Sequence, residues 1–267
     1  MTAIVCTFGE RLSGDGSTSG SGRGSDGVGA AKQSGCARAE TSQGVANVVY
    51  SLGLLGASWD DMVPDMRDAL SQGLVRWAPE LTSQELSNTI YGLGMLKATH
   101  EELPYEMREA LVVCLARVMT VMNDQEVCST LHGYAKMGAV WTDLPAQQRT
   151  AVFVAIASVA QVGELCLACS LYSLGLMGAT WESIPERIRH IFMRAAAREE
   201  LKDQTISNVV YGLSLLKASW AGLGEDFRAV IASNLGGPDA FGHDVPQVLA
   251  FHTLPTYRQS SQGSHWC

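Results

Sequence analysis

Along the middle of the chain, apolar residues recur at helical spacing, and the pattern restarts at a fixed interval. Tyr50, Tyr91, His132, Tyr172 and Tyr211 mark five registers, 41, 41, 40 and 39 residues apart. Relative to each mark, the positions five before, one before, two after and five after are apolar, as in Val45, Val49, Leu52 and Leu55. At 100° per residue they form one stripe of a helix. Positions four before and three after are small, as in Ala46 and Gly53 or Ser87 and Gly94, which predicts a side that stacks closely on a neighbouring unit. Seven after the mark is always Ala: Ala57, Ala98, Ala139, Ala179 and Ala218.

Each unit reads as a helical hairpin. A residue eight before the mark (Ser42, Ser83, Asp124, Glu164, Asp203) is placed to cap the first helix. That helix runs for about four turns to a Gly-Ala or Lys-Ala pair. A connector follows, carrying Trp59, His100, Trp141, Trp181 or Trp220, and then a proline in four units: Pro64, Pro104, Pro145 and Pro185. Proline fits the first position of a second helix, where its missing N–H has no partner to lose. Second helices are predicted over segments such as 105–119 and 186–199. Each carries an arginine seventeen after the mark: Arg67, Arg108, Arg149, Arg189 and Arg228. The repetition predicts an all-α fold, a right-handed α-solenoid of about five helix-turn-helix repeats of 39–41 residues over 42–235. A truncated sixth first helix is predicted over 244–254, within a degenerate 236–267.

One arc of the first helix remains, with the positions six before, three before and one after the mark. It reads Gly44-Asn47-Ser51, Glu85-Asn88-Gly92, Glu126-Ser129-Gly133, Cys166-Cys169-Ser173 and Thr205-Asn208-Gly212. These are polar or small and differ from unit to unit, as a face reading an extended polymer requires. Asn47, Glu85, Asn88, Glu126, Ser129, Thr205 and Asn208 are therefore the candidate binding residues. The arginines, set among acids such as Asp65 and Glu106, are predicted to make ion pairs or carbonyl contacts between repeats, and the tryptophans to plug the hairpin ends.

The 267 residues carry a net charge of −8, which opposes strong nonspecific adhesion to nucleic acid. The Gly- and Ser-rich composition of 1–41 predicts a disordered tail. Its Gly20-x-Gly22-x-Gly24 has neither a preceding strand nor a following Lys-Ser/Thr, and reads as low complexity rather than a phosphate loop. Seven cysteines without a framework suit a reducing, intracellular compartment. The tail matches neither a signal peptide nor a transit peptide, and no apolar run is as long as a membrane span. Cys166 and Cys169 form a Cys-x-x-Cys with no second pair, so they read as helix-surface residues and not a zinc site. No catalytic constellation, cofactor motif or metal set stands out. The expectation is a non-enzymatic protein without a small-molecule substrate.

The unit Gln-x-x-x-Asn-x-x-Tyr-Gly-Leu-Gly-x-Met-Gly-Ala-x-Trp-x-x-Leu-Pro-x-x-x-Arg-x-Ala-Leu, fullest in 84–111 and 165–192, resembles the organellar helical repeats related to octotricopeptide proteins. It is also similar to the repeats that precede RAP domains in algal, apicomplexan and FAST kinase-type proteins. The resemblance covers about 42–235 and implies single-stranded RNA binding in a mitochondrion or plastid, in transcript stability, processing or translation. No RAP-like C-terminal domain follows. The alternative is a HEAT- or armadillo-like scaffold holding an extended peptide or protein, which the acidic balance favours. A remnant of a longer array is the third reading.

Overall fold

A computed structural model describes residues 41–198, 201 and 203–234. The segments 1–40 and 235–267, with the expectations made for them, lie outside the described residues. All the described regular structure is helical: α1 (Ser42–Leu54), α2 (Pro64–Trp77), α3 (Ser83–Met95), α4 (Tyr105–Val118), α5 (Asp124–Lys136), α6 (Ala146–Ser158), α7 (Glu164–Leu176), α8 (Glu186–Arg198), α9 (Asp203–Leu215) and α10 (Glu225–Asn234). Odd-numbered helices pack side by side in chain order, even-numbered ones do the same, and each odd helix also packs on the even helix that follows it. This is a helical-repeat architecture of two layers.

In α1, α3, α5 and α7 the cap is the residue before the predicted one. Thr41 accepts from the Gly44 N–H at 3.0 Å, Thr82 from Glu85 at 3.2 Å and Asn123 from Glu126 at 2.9 Å. A cap oxygen satisfies the N–H three residues on, so Ser42, Ser83 and Asp124 fall inside the first turn. In α7 the capping position is Gly163, which brings no side-chain oxygen. The prolines also shift. Pro64 opens α2, but Pro104 and Pro145 stand one residue before their helices in extended backbone, which a proline ring equally permits.

The odd helices all end in one way. The residue six after each mark is left-handed: Gly56 (φ 76°), Lys97 (58°), Gly138 (67°), Gly178 (82°) and Lys217 (56°). The alanine behind it then donates back to the carbonyl two after the mark, from Ala57 to Leu52 at 3.1 Å through to Ala218 to Leu213 at 3.0 Å. The paired bond of a Schellman cap thus closes the helix end. The recurrent alanine is at most 7% exposed in the last four units.

Two backbone contacts join each unit to the next. The connector residue nine after the mark donates its N–H to the carbonyl that caps the next odd helix. Trp59 reaches Leu96 at 2.7 Å, His100 reaches Met137 at 2.9 Å, Trp141 reaches Met177 at 2.7 Å and Trp181 reaches Leu216 at 2.8 Å. These carbonyls would otherwise be orphans of the helix end. The odd helices also approach almost to backbone contact. A Cβ on Gly92 would lie 2.9 Å from Tyr50 Cα, one on Gly133 2.6 Å from the Ile90 carbonyl, and one on Gly212 2.8 Å from Tyr172 N. Where Ser173 takes this position, the α5–α7 pair is the least intimate of the four. The small positions three after the mark complete the fit: a Cβ on Gly94 would meet Lys136 Cβ at 2.8 Å, and one on Gly175 would meet Leu215 Cβ at 2.5 Å.

The apolar stripe forms the core between layers. Leu86, Ile90, Leu93 and Leu96 of the second unit and Leu167, Leu171, Leu174 and Met177 of the fourth are buried. Phe192 and Phe227 meet this core from α8 and α10. Three departures from the repeat pattern converge at one junction: His100 for Trp, Tyr134 for Leu, and Gln148 for Met, Ile or Phe. His100 packs its edge on Tyr134, with ring centroids 6.0 Å apart. Burial drives the Tyr134 phenol far above its ordinary value, Cys114 adds to this, and Gln148 offsets part of it.

The backbone contact and the left-handed cap predict opposite outcomes for two substitutions. Gly133→Ala forces a methyl into the Ile90 carbonyl and should destabilise by about 1–3 kcal/mol through overpacking. Lys97→Gly removes the left-handed strain of about 1–2 kcal/mol and pays the entropy of a glycine, for a net gain of about 0.5–1 kcal/mol. Denaturant midpoints of both variants check the pair.

Candidate binding face

The odd helices leave one stripe partly open, at seven before, three before, zero and four after the mark, a spacing of 4, 3 and 4 residues that keeps to one helix face, with His132 its buried member. The central row is aromatic. Tyr50 and Tyr91 have ring centroids 6.3 Å apart, Tyr91 and His132 5.9 Å, His132 and Tyr172 6.4 Å, and Tyr172 and Tyr211 5.9 Å. Neighbouring rings are inclined by 28–37°, so the five make one continuous ladder across the units. The backbone approach at Gly92, Gly133 and Gly212 sets this spacing.

Polar rows run along one side of the rings. Three before the mark are Asn47, exposed, and Asn88, Ser129, Cys169 and Asn208, half-buried. Seven before are Gln43, Gln84, Gln125 and Gln204, all exposed, with Leu165 in the fourth unit. Gln204 donates to the Asn208 side-chain oxygen at 3.3 Å, tying the two rows together. On the other side, four after the mark, stand Leu54, Met95, Lys136, Leu176 and Leu215. Lys136 is the one charged side chain at these positions. The acids lie elsewhere: Asp60, Asp61, Asp65 and Asp68, like Glu101, Glu102, Glu106 and Glu109, are exposed on the connectors and the first turns of the even helices.

This geometry sorts the sequence-predicted binding residues. Asn47, Asn88, Ser129 and Asn208 share one row beside the rings. Glu85 and Glu126 are engaged in capping boxes, their carboxylates accepting from the Thr82 and Asn123 N–H groups at 2.9 Å. Thr205 donates to Glu164 at 3.1 Å, a tie from α9 to α7. The position one after the mark, expected on the open arc, is a close inter-helix contact, with Gly92, Gly133, Ser173 and Gly212 buried. Cys166 is buried beside Ser170, and burial raises its thiol to about 12. Cys169 donates to the Cys128 carbonyl at 3.5 Å, across to α5.

The marks themselves, which the sequence presented as repeat landmarks, are therefore central to the face, and the glutamines join them. The 4-3-4 spacing of Gln43, Asn47, Tyr50 and Leu54 was the available signal. It is legible only once the small position after the mark is known to be covered.

The repeat tryptophans lie on the connectors and the repeat arginines on the even helices that follow them. Trp59, Trp141 and Trp181 are buried, and Trp220 is half-buried. Arg149 donates to the Thr142 and Trp141 carbonyls at 3.1 and 3.5 Å. Arg189 pairs with Glu182 at 3.1 Å and lies over the Trp181 ring. These contacts fall within one unit, not between units as expected. Arg67, Arg108 and Arg228 take the equivalent half-buried positions.

Among the described residues no cluster of His, Cys, Asp and Glu could hold a metal ion, and no helix is long and apolar enough to cross a membrane. No protein-family model matches the chain, and no curated protein is similar to it.

His132 is 6% exposed, and neither ring nitrogen has a hydrogen-bond partner. Burial, aided by the Lys136 ammonium, lowers its pKa to about 4. The unfolded value is near 6.5, so the unfolded chain takes up the proton first as pH falls. The contribution of the neutral imidazole is complete above pH 6.5 and is lost between 6.5 and 4. This predicts an acid-side loss on the order of 2–3 kcal/mol from this group. His132→Tyr, which installs the ring of the other four units, should abolish that part of the loss. Stability of the two chains compared from pH 7 to 4.5 measures it.

Proposed function

We propose that the chain is a non-enzymatic RNA-binding protein, a right-handed α-solenoid of five repeats whose ring-and-amide face holds single-stranded RNA. The observation that carries this reading is the ladder from Tyr50 to Tyr211 with amides alongside. Aromatic side chains stack on bases of any identity. Asparagine and glutamine offer a donor and an acceptor to the exposed edges of unpaired bases. Many acids stand on the connectors and even helices, and Glu85, Glu126 and Glu164, in the first turns of odd helices, are engaged in capping boxes or by Thr205. With Lys136 its one charge, affinity depends on stacking and amide bonds and little on counterion release. The resemblance of the repeat to organellar RNA-binding repeats supports the same reading, and with it a role in transcript stability, processing or translation in a mitochondrion or plastid.

A second reading has its own support. The ring spacing of 5.9–6.4 Å is near the two-residue rise of an extended peptide, about 6.6 Å. The acidic connectors would attract a basic one, and amide ladders bond peptide backbone well.

Titration with pooled single-stranded RNA and with basic peptides, over a salt series, separates the two. For RNA on this face, Tyr91→Ala and Tyr172→Ala should each weaken binding about tenfold, the loss of roughly one stacked base. Asn88→Ala with Asn208→Ala should change sequence preference in a folded protein, and the salt dependence should be shallow. Loss of RNA binding on changing Arg108 and Arg228, with the tyrosine and asparagine variants silent, would move the site to the even helices. Tight peptide binding without RNA binding would establish the second reading.

A further inference from the structure

The polar rows beside the rings run through four units and are interrupted in one. Seven and three before the mark, units one, two and five carry Gln and Asn, and unit three carries Gln125 and Ser129. Unit four carries Leu165 and Cys169. Leu165 is 52% exposed, and Leu176, on the other side of the Tyr172 ring, is 46% exposed. The Cys169 thiol donates to the Cys128 carbonyl and lies 3.8 Å from the Ser173 hydroxyl, so its polar contacts point into the α5–α7 junction. A thiol is in any case a weak donor and a weak acceptor. The fourth unit has the ring without the amides.

We propose that the face reads sequence at four positions and is blind at a fifth, the nucleotide beside Tyr172 being held by apolar contact whatever its base. This rests on the reading of the face as an RNA site and adds a register to it. The register follows from spacing. Nucleotides in a stacked strand rise about 3.4 Å each, and successive rings stand 5.9–6.4 Å apart. Two stacked nucleotides to a unit would need about 6.8 Å, more than any of these spacings. One nucleotide to a unit is drawn out of its own stack, and its base lies against a ring. Discrimination then depends on what each unit offers the base edge. An amide that bonds the right base is left unpaired by the wrong one, which costs affinity. An apolar surface cannot strongly reject a base that differs in its polar groups, and every base has a face to set against a ring. Leu165, Cys169 and Leu176 therefore favour no base over another. Unit four adjoins the last unit of the row, so the blind position is second from one end of a five-nucleotide site.

Selection of the full chain against a randomised single-stranded RNA pool tests this. Enriched sequences should share four positions with a base preference in a window of five, with the open one second from an end. The other units show how to close the gap. Asn is half-buried in units two and five where unit four has Cys169, and Gln is exposed in the other four units where it has Leu165. Leu165→Gln combined with Cys169→Asn should keep the parent's helical circular dichroism and denaturant midpoint. It should also fix a base at the open position with about a ten- to hundredfold preference, leaving the other four as they were. The selection with the parent chain decides the matter if the double variant fails to fold. A parent that already selects one base at that position would overturn the proposal and leave RNA binding standing. So would a folded double variant that binds RNA with the parent's preferences. A chain that binds no RNA, including one that binds an extended peptide instead, overturns the proposal together with the reading on which it rests.

Discussion

The near-contact of backbones at Gly92, Gly133 and Gly212 fixes the distances on which everything else depends. With no Cβ in the way, the backbone of one odd helix rests against the backbone of the next. The side chains on the adjoining stripe are thereby brought into register at about 6 Å. Helices held apart by ordinary side chains pack at about 8–10 Å, and rings on them would stand as separate posts. The aromatic ladder thus depends on a small residue after the mark, glycine at three junctions and Ser173 at the fourth, where the rings stand 6.4 Å apart. Even helices have no such contact, and they associate less closely.

The sequence disclosed the period, the hairpin, the core stripe and the side that stacks, because each rests on residue types recurring at one spacing. Leu86, Ile90 and Leu93 were readable as core in that way, and they are buried. The small residues four before and three after the mark were readable as a stacking surface, and Gly94 and Gly175 are pressed on their neighbours. Helix starts were displaced by one residue because Ser42 and Thr41 are both good caps, and only the bond to Gly44 distinguishes them.

The candidate site was half legible. Asn47, Asn88, Ser129 and Asn208 keep their place beside the rings. Glu85 and Glu126 were grouped with recognition residues because the caps were placed one residue late, which hid the capping-box spacing of Thr82-x-x-Glu85 and Asn123-x-x-Glu126. The glycine one after the mark was grouped with variable polar residues, yet its smallness is a packing requirement. Small residues are ambiguous in this way: they appear where a partner comes close, and the sequence does not say whether that partner is a ligand or the next helix.

The bond from each connector N–H to the capping carbonyl of the following odd helix runs in one direction. Every junction therefore has the same grammar, a donor handed forward and an acceptor waiting, whatever side chains flank it. A unit duplicated or deleted at any point in the row finds a matching partner before and behind it, because main-chain groups carry the match. Side chains on the open stripe are then free to diverge without disturbing the joints. The chain can change its length and its surface independently.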